Sequence, residues 1–237
     1  MALPKLITPT YELEIPSTDE KIKYRPFLVK EEKILMMAME SKSEADITQA
    51  VKDIVLECTF NKVEISNMPM FDVEYIFLQI RSKSVGEVSK LKLLCPDDGK
   101  TYADVELNLN EVKVQVGDDH TNKIELDNGM GMIMTYPTID SFRDSGIRDI
   151  NAKNMLDVIS SCVLQIYEEE GKKTYDSKDQ TKKELTDFIE QLSTKQFKDV
   201  QKFFETMPKL KHEITLKNPK TKKDSKITLT GLNDFFG

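Results

Sequence analysis

The residues of this chain that come nearest to chemistry lie in two proline-centred turns, Cys95-Pro-Asp-Asp-Gly99 and Asn218-Pro-Lys-Thr-Lys222. Leu93 leads into the first and Val105-Glu-Leu107 follows it. Leu216 leads into the second and Ile227-Thr-Leu229 follows it. A strand, a proline turn and a returning strand have the shape of a zinc-ribbon knuckle, and a metal held there needs two thiolates close together in each arm. The first arm offers only Cys95 and the second no cysteine, so the ligand count fails. Both turns are therefore expected to fold without zinc. Their likeness is either a true repeat or two separate uses of one common turn.

No other constellation supports catalysis. His120 falls in a polar loop and His212 at a strand start, each reading as a surface or packing residue rather than a base held within reach of a nucleophile. The chain contains no Gly-x-Ser-x-Gly elbow, no phosphate-cradling glycine loop and no His-Glu-x-x-His. Gly129-Met-Gly131 belongs to a turn and strand. Cys58 and Cys162 fall on apolar helical stripes, where cysteine acts as a small hydrophobe. Cys95 is expected nearest to solvent, with nothing beside it to lower its pKa. The lysines at 217, 220, 222, 223 and 226 surround the last turn without aromatic or arginine partners, so they read as a solvated hairpin tip rather than a nucleic-acid contact. No catalytic residue, cofactor site or metal site is expected, and the chain reads as a non-enzyme.

Composition agrees. At 237 residues the chain can bury a sizeable core. Its 34 basic and 41 acidic residues give a net charge of −7, which favours solubility and argues against general nucleic-acid binding. No apolar run approaches the roughly 20 residues that cross a bilayer. The first residues lack a charged-then-apolar signal layout, and three widely spaced cysteines fit reduced thiols in a cytoplasm.

The elements that would position these groups follow from periodicity. Tyr11 to Ile15 and Ile22 to Tyr24 alternate around Ser17-Thr-Asp-Glu20, predicting a β-hairpin. Ser43 precedes a helical stripe of Ile47, Val51, Ile54, Val55 and Cys58, and a third helix is predicted from Met70 to Arg81 with Val73, Ile76, Phe77 and Ile80 inward. Residues 86–136 read as antiparallel β, with Asp127-Asn-Gly129 as a short hairpin turn. Met155, Ile159, Cys162, Val163 and Ile166 share one helical face behind Asn151 as a cap. Thr181-Lys-Lys-Glu184 and Ser193-Thr-Lys-Gln196 are capping boxes that open two more helices. A hairpin joins 212–217 to 226–230. Leu232, Phe235 and Phe236 are then predicted to fold back on the protein, against the helix from Phe197 to Met207; the alternative is a terminal peptide that docks on a partner.

The most unusual stretch is YRPFLVKEEKILMMAMES, residues 24–41. Pro26 ends a strand, Glu31 and Glu32 open a helix, and Ile34 to Met39 are apolar without a break. A helix apolar on more than one side is buried between layers or covered by a partner. Methionine suits a surface that fits an irregular neighbour, so Met36, Met37 and Met39 are candidate partner-binding residues; the alternative is that they are core.

This stretch, the segment LPKLITPTYELEIPSTDEKIKYRPFLVKEEK before and through it, and LSTKQFKDVQKFFETMPKLKHEITLKNPKTKKDSKITLTGLNDFFG at the end resemble the baseplate hub assembly proteins of T-even-like contractile-tailed bacteriophages. The resemblance implies a tail-assembly chaperone or minor hub component with no enzymatic activity, acting on a baseplate hub or tail tape protein. It places the chain in the host cytoplasm or the virion tail baseplate; the charge balance and the lack of a long apolar run are what argue for no nucleic-acid and no membrane partner. The alternative is a structural subunit retained in the hub. The expected fold is a single α+β unit: 1–85 as a hairpin plus three helices, 86–136 as a central antiparallel β region, and 137–237 as helices plus a C-terminal hairpin.

Overall fold

The computed structural model describes residues 6–141, 155–168 and 172–236. They form a mixed α+β fold in which every strand pairing is antiparallel. The chain divides into two compact units, one of residues 1–115 with 209–237 and one of 116–208. The three strands that follow Gly86 belong to the first unit, and the third of them pairs with a strand 94 residues further on, in the register Gln115↔Lys209, Val114↔Leu210 and Lys113↔Lys211.

The first unit opens with β1 (Tyr11–Glu14) and β2 (Lys21–Tyr24), the predicted hairpin. Three helices follow: α1 (Val29–Ser41), α2 (Glu44–Cys58) and α3 (Met70–Val85). The Ser43 side chain accepts the Asp46 N–H and caps α2, and Val51, Ile54, Val55 and Cys58 are buried as their spacing requires. Val73, Ile76, Phe77 and Ile80 are buried along α3, which runs one turn beyond Arg81 until Gly86 stops it with φ +135°. Then come β3 (Val88–Leu94), β4 (Tyr102–Asn108) and β5 (Lys113–Gln115).

The second unit holds β6 (Lys123–Glu125), β7 (Gly131–Met134), α4 (Met155–Ser161), β8 (Val163–Glu168), β9 (Lys173–Asp176), α5 (Lys182–Glu190) and α6 (Thr194–Thr206). Its sheet has the order β6-β7-β8-β9. Both capping boxes close as predicted, Thr181 with Glu184 and Ser193 with Gln196. One helix is shorter than its stripe suggests. It ends at Ser161, where the Ser160 and Ser161 hydroxyls donate to the Asp157 and Val158 carbonyls. Val163 and Ile166 lie instead in β8, since Val-Leu-Gln-Ile-Tyr is rich in strand formers and two neighbouring strands are there to pair it. Asn151, expected to cap this helix, lies outside the described residues. Ile124, Met132, Met134, Ile159, Ile166, Leu185, Val200 and Phe203 belong to the core of this unit.

The chain then returns to the first unit with β10 (Lys209–Lys217), β11 (Asp224–Thr230) and α7 (Gly231–Phe236). The sheet order is β11-β10-β5, while β3 and β4 form a separate pair. The strands of 86–136 are thus shared among three antiparallel sheets. The end of the chain does fold back, but on a different surface from that expected. Phe235 is fully buried with Leu78, Leu91, Leu107, Leu109, Val112, Leu210 and Leu229, and Leu232 packs beside them. The Phe236 side chain lies outside the described residues.

Two carboxyl groups on α3 make the first unit sensitive to pH. Asp72 is buried, takes the Ser17 N–H at 3.1 Å on one oxygen and has no partner on the other. Burial pushes it up to about 6, against the pull of Ser17. Glu74 accepts the Leu232 N–H at 3.4 Å where α7 begins, and burial pushes it up to about 7. A carboxyl whose pKa is higher in the folded than in the unfolded state favours folding in its protonated form. That contribution is full below the ordinary glutamate value of about 4.3 and is lost as pH rises through 7. Glu74→Gln is therefore expected to match the wild type in urea stability at pH 4 and to exceed it at pH 8. An equal loss at both pH values would contradict the assignment.

Candidate partner-binding face

α1 is fixed by its first turn. Pro26 carries the chain out of β2, and the Phe27 N–H donates to the Ser84 hydroxyl at 2.9 Å. Leu28 takes the N-cap position with extended backbone angles. Glu31, three residues later, turns back so that its Oε2 accepts the Leu28 N–H at 2.7 Å, which serves one of the amides a helix start leaves unpaired. Its other oxygen takes the Arg25 Nη2 at 2.9 Å and lies 3.1 Å from the Lys30 Nζ. Glu31 is 2% exposed. Burial alone would raise its pKa, but Arg25, the Leu28 amide and Lys30 outweigh burial and hold it below the usual carboxylate range. The Arg25 guanidinium also approaches Glu57 of α2, at 3.8 Å. At the far end Lys42 adopts φ +55° and closes the helix, its N–H donating to the Met39 carbonyl.

Glu31 and Ala38 are buried and Leu35 is half-buried, an inward stripe at helical spacing. The opposite side is exposed and carries apolar residues among charged ones. Met36, Met37 and Met39 are 58%, 60% and 53% exposed, and Val29 and Ile34 also face solvent. Within the run from Ile34 to Met39 only Ala38 and Leu35 turn inward, and the three methionines named from sequence all stand on the surface. Val29, Met36 and Met37 line a shallow depression with Glu32, Lys33 and Glu40, which the positions i, i+3, i+4, i+7, i+8 and i+11 bring onto one face. Single exposed apolar residues need no explanation; it is the grouping of several on one helix that makes this face a candidate interaction surface. What this face can do chemically is bury apolar surface of another molecule, with flexible thioethers adapting to its shape.

The remaining residues considered from sequence do not assemble into a site. His120 is not a free surface side chain: its ring nitrogens lie 2.9 Å from the Thr206 hydroxyl and 3.0 Å from the Tyr136 hydroxyl, and the ring packs on Phe203. Burial lowers its pKa, and with hydroxyl partners at both ring nitrogens it is placed as a packing residue. No signal in sequence pairs it with Thr206, because the contact spans 86 positions. Cys95 is fully buried, contrary to its expected exposure, because Leu216 and Ile227 of the second proline hairpin cover it. The lysines around the last turn are exposed, with Lys226 3.9 Å from Glu213. Among the described residues no group of three or more histidine, cysteine or acidic side chains is placed to hold a metal ion. Among them, too, no helix is long and apolar enough to cross a membrane.

Neither the curated proteins nor the solved structures compared with this chain gave a match. The family model of the T4 bacteriophage base plate protein matches residues 8–237, nearly the whole length, and the chain belongs to that family.

Proposed function

We propose that this baseplate protein is a non-enzymatic assembly factor, and that the outer face of α1 is where it receives its client. The observation that carries the reading is the exposure of Met36, Met37 and Met39 on a helix whose first turn is locked by buried hydrogen bonds. A rigid base with an adaptable apolar face suits a protein that shields the surface of another. The client is a hub or tail tape protein with apolar surface of its own, held in the host cytoplasm until the growing baseplate buries it. Met36, Met37 and Met39 are the residues we assign to that contact. The surroundings of His120 support a role without catalysis, since both ring nitrogens are occupied by structural partners.

A subunit that stays in the hub would use the same face permanently, and the two roles differ in what the finished particle contains. Quantitative mass spectrometry of purified virions is expected to find this chain absent or far below the stoichiometry of hub subunits. Its presence at fixed stoichiometry would instead make it a resident subunit. Capture with tagged protein from infected cells is expected to return a hub or tape protein.

A further inference from the structure

The two proline turns face each other. Position for position they are alike: Cys95 and Asn218 are both fully buried, each is followed by proline, and the fifth residues, Gly99 and Lys222, have φ +61° and +62°. The Gly99 N–H donates to the Cys95 carbonyl at 3.0 Å and the Lys222 N–H to the Asn218 carbonyl at 2.9 Å. The first residue of each turn also bonds into the returning arm, Cys95 N–H to the Thr101 carbonyl and Asn218 N–H to that of Lys223. Beneath them Cys95, Ala103 and Leu216 form one small core with Leu93, Val105 and Ile227. Two such turns packed face to face, each with key positions separated by two residues, are the layout of a zinc ribbon. The four ligand positions correspond to Cys95, Asp98, Asn218 and Thr221.

None of the last three is available to a metal. The Asp98 carboxylate accepts the Lys100 and Thr101 N–H groups at 3.0 and 2.9 Å and the Thr101 hydroxyl at 2.6 Å. The Asn218 Oδ1 accepts the Lys220 and Thr221 N–H groups at 2.8 and 3.2 Å, which fixes its amide so that Nδ2 points away as a donor. That donor meets Asp97 Oδ1 at 2.8 Å, and the Thr221 hydroxyl donates to Asp97 Oδ2. One carboxylate of the first turn thus accepts two hydrogen bonds from the second, across 121 and 124 positions of sequence. Bonds to an ionised acceptor are the strong class of side-chain hydrogen bond.

We infer that the paired hairpins are a zinc-ribbon module closed by the Asp97 carboxylate in place of a metal ion. The clamp joins the two separate chain segments of the first unit, the work a metal does when it closes a long loop. The similarity of the two turns is then one of geometry as well as of sequence.

The test restores the ligands. The variant Asp98→Cys/Asn218→Cys/Thr221→Cys, which retains Cys95, is expected to bind one equivalent of Co(II) with the visible absorption of a tetrahedral thiolate site, displaced by zinc, while the wild type binds none. A second variant, Asp97→Ala, covers the case in which the triple variant does not fold. Its Gly99 and Lys222 amides are expected to exchange with deuterium at least tenfold faster than in the wild type, with Met134 in the second unit unchanged. Stoichiometric zinc in the wild type would overturn the inference. So would a folded triple variant that takes up no cobalt, or unaltered exchange at both turns in Asp97→Ala.

Discussion

Replacing Phe235 with alanine is expected to destabilise the protein by about 3–5 kcal/mol, the range for removing a fully buried phenylalanine. The ring sits between α3, β3 and β10, and the Phe235 carbonyl accepts the Ser89 hydroxyl at 3.0 Å. The turn that brings it there is specified locally. Gly231 takes φ +71°, and a side chain at that position would come within 3.2 Å of a Glu74 oxygen. The Asp234 carboxylate accepts the Thr230 N–H at 2.8 Å, which ties α7 to the strand before it. Removing residues 232–237 should have a larger effect than Phe235→Ala, because Leu232 is lost with it. Thermal melts of both variants check this, with a fall in Tm on the order of 10 °C expected for Phe235→Ala. An unchanged Tm with lost client binding would show that the tail serves the partner instead of the fold.

The second large effect is expected at Glu31. Glu31→Ala removes the partner of an arginine whose side chain is 11% exposed and leaves the Leu28 N–H without its acceptor. Breaking one side of such a pair costs about 3–5 kcal/mol, more than the intact pair adds, because the surviving charge stays buried. The carboxylate left near Arg25 is then Glu57, at 3.8 Å, and the guanidinium keeps its bond to the Pro26 carbonyl. The pH dependence has the opposite sign to that of Glu74. The Glu31 pKa is lowered by folding, so its contribution is present above the ordinary glutamate value and is lost as pH falls through the folded one. Urea titrations at pH 3 and pH 7 should therefore show the variant far below the wild type at pH 7, with a smaller gap at pH 3. A gap of equal size at both would mean that the carboxylate charge is not what matters. Since Glu31 fixes the first turn of α1, the variant should also loosen the methionine face.

Local features of this chain are legible in its sequence. The two capping boxes, the opening hairpin and the inward stripe of α3 depend on neighbours within a few residues, and all form as their patterns predict. The Asp127-Asn-Gly129 hairpin does too, with Gly129 at φ +72° between β6 and β7. Features decided by distant partners are not legible. Cys162, Val163 and Ile166 fit a helical stripe, and Val163 to Tyr167 fits a strand almost as well. Pairing with β7 and β9 decides between them. Cys95 stands in a polar turn and looks exposed until the second hairpin, more than a hundred residues later, covers it. The burial of Phe235 follows from the cost of leaving it in water, but its neighbours come from both sides of the second unit in sequence. The candidate site shows the same limit. An unbroken apolar run says that α1 is covered on more than one side and leaves open which side is covered by this chain. The Arg25–Glu31 pair, six residues apart, lies on the buried side of the helix, with Met36 and Met37 exposed on the other.

The central claim is that this outward face exists for a partner. The most direct measurement is phage yield in cells infected with a phage lacking this chain and supplied with the Met36→Glu/Met37→Glu variant, read beside the variant's melting curve. Both side chains are more than half exposed, so the melt should stay within about 2 °C of the wild type, as for surface substitutions in general. The account predicts that yield nonetheless falls to that of the uncomplemented infection, because two carboxylates cannot be buried against an apolar client. Full yield from the folded variant would contradict it.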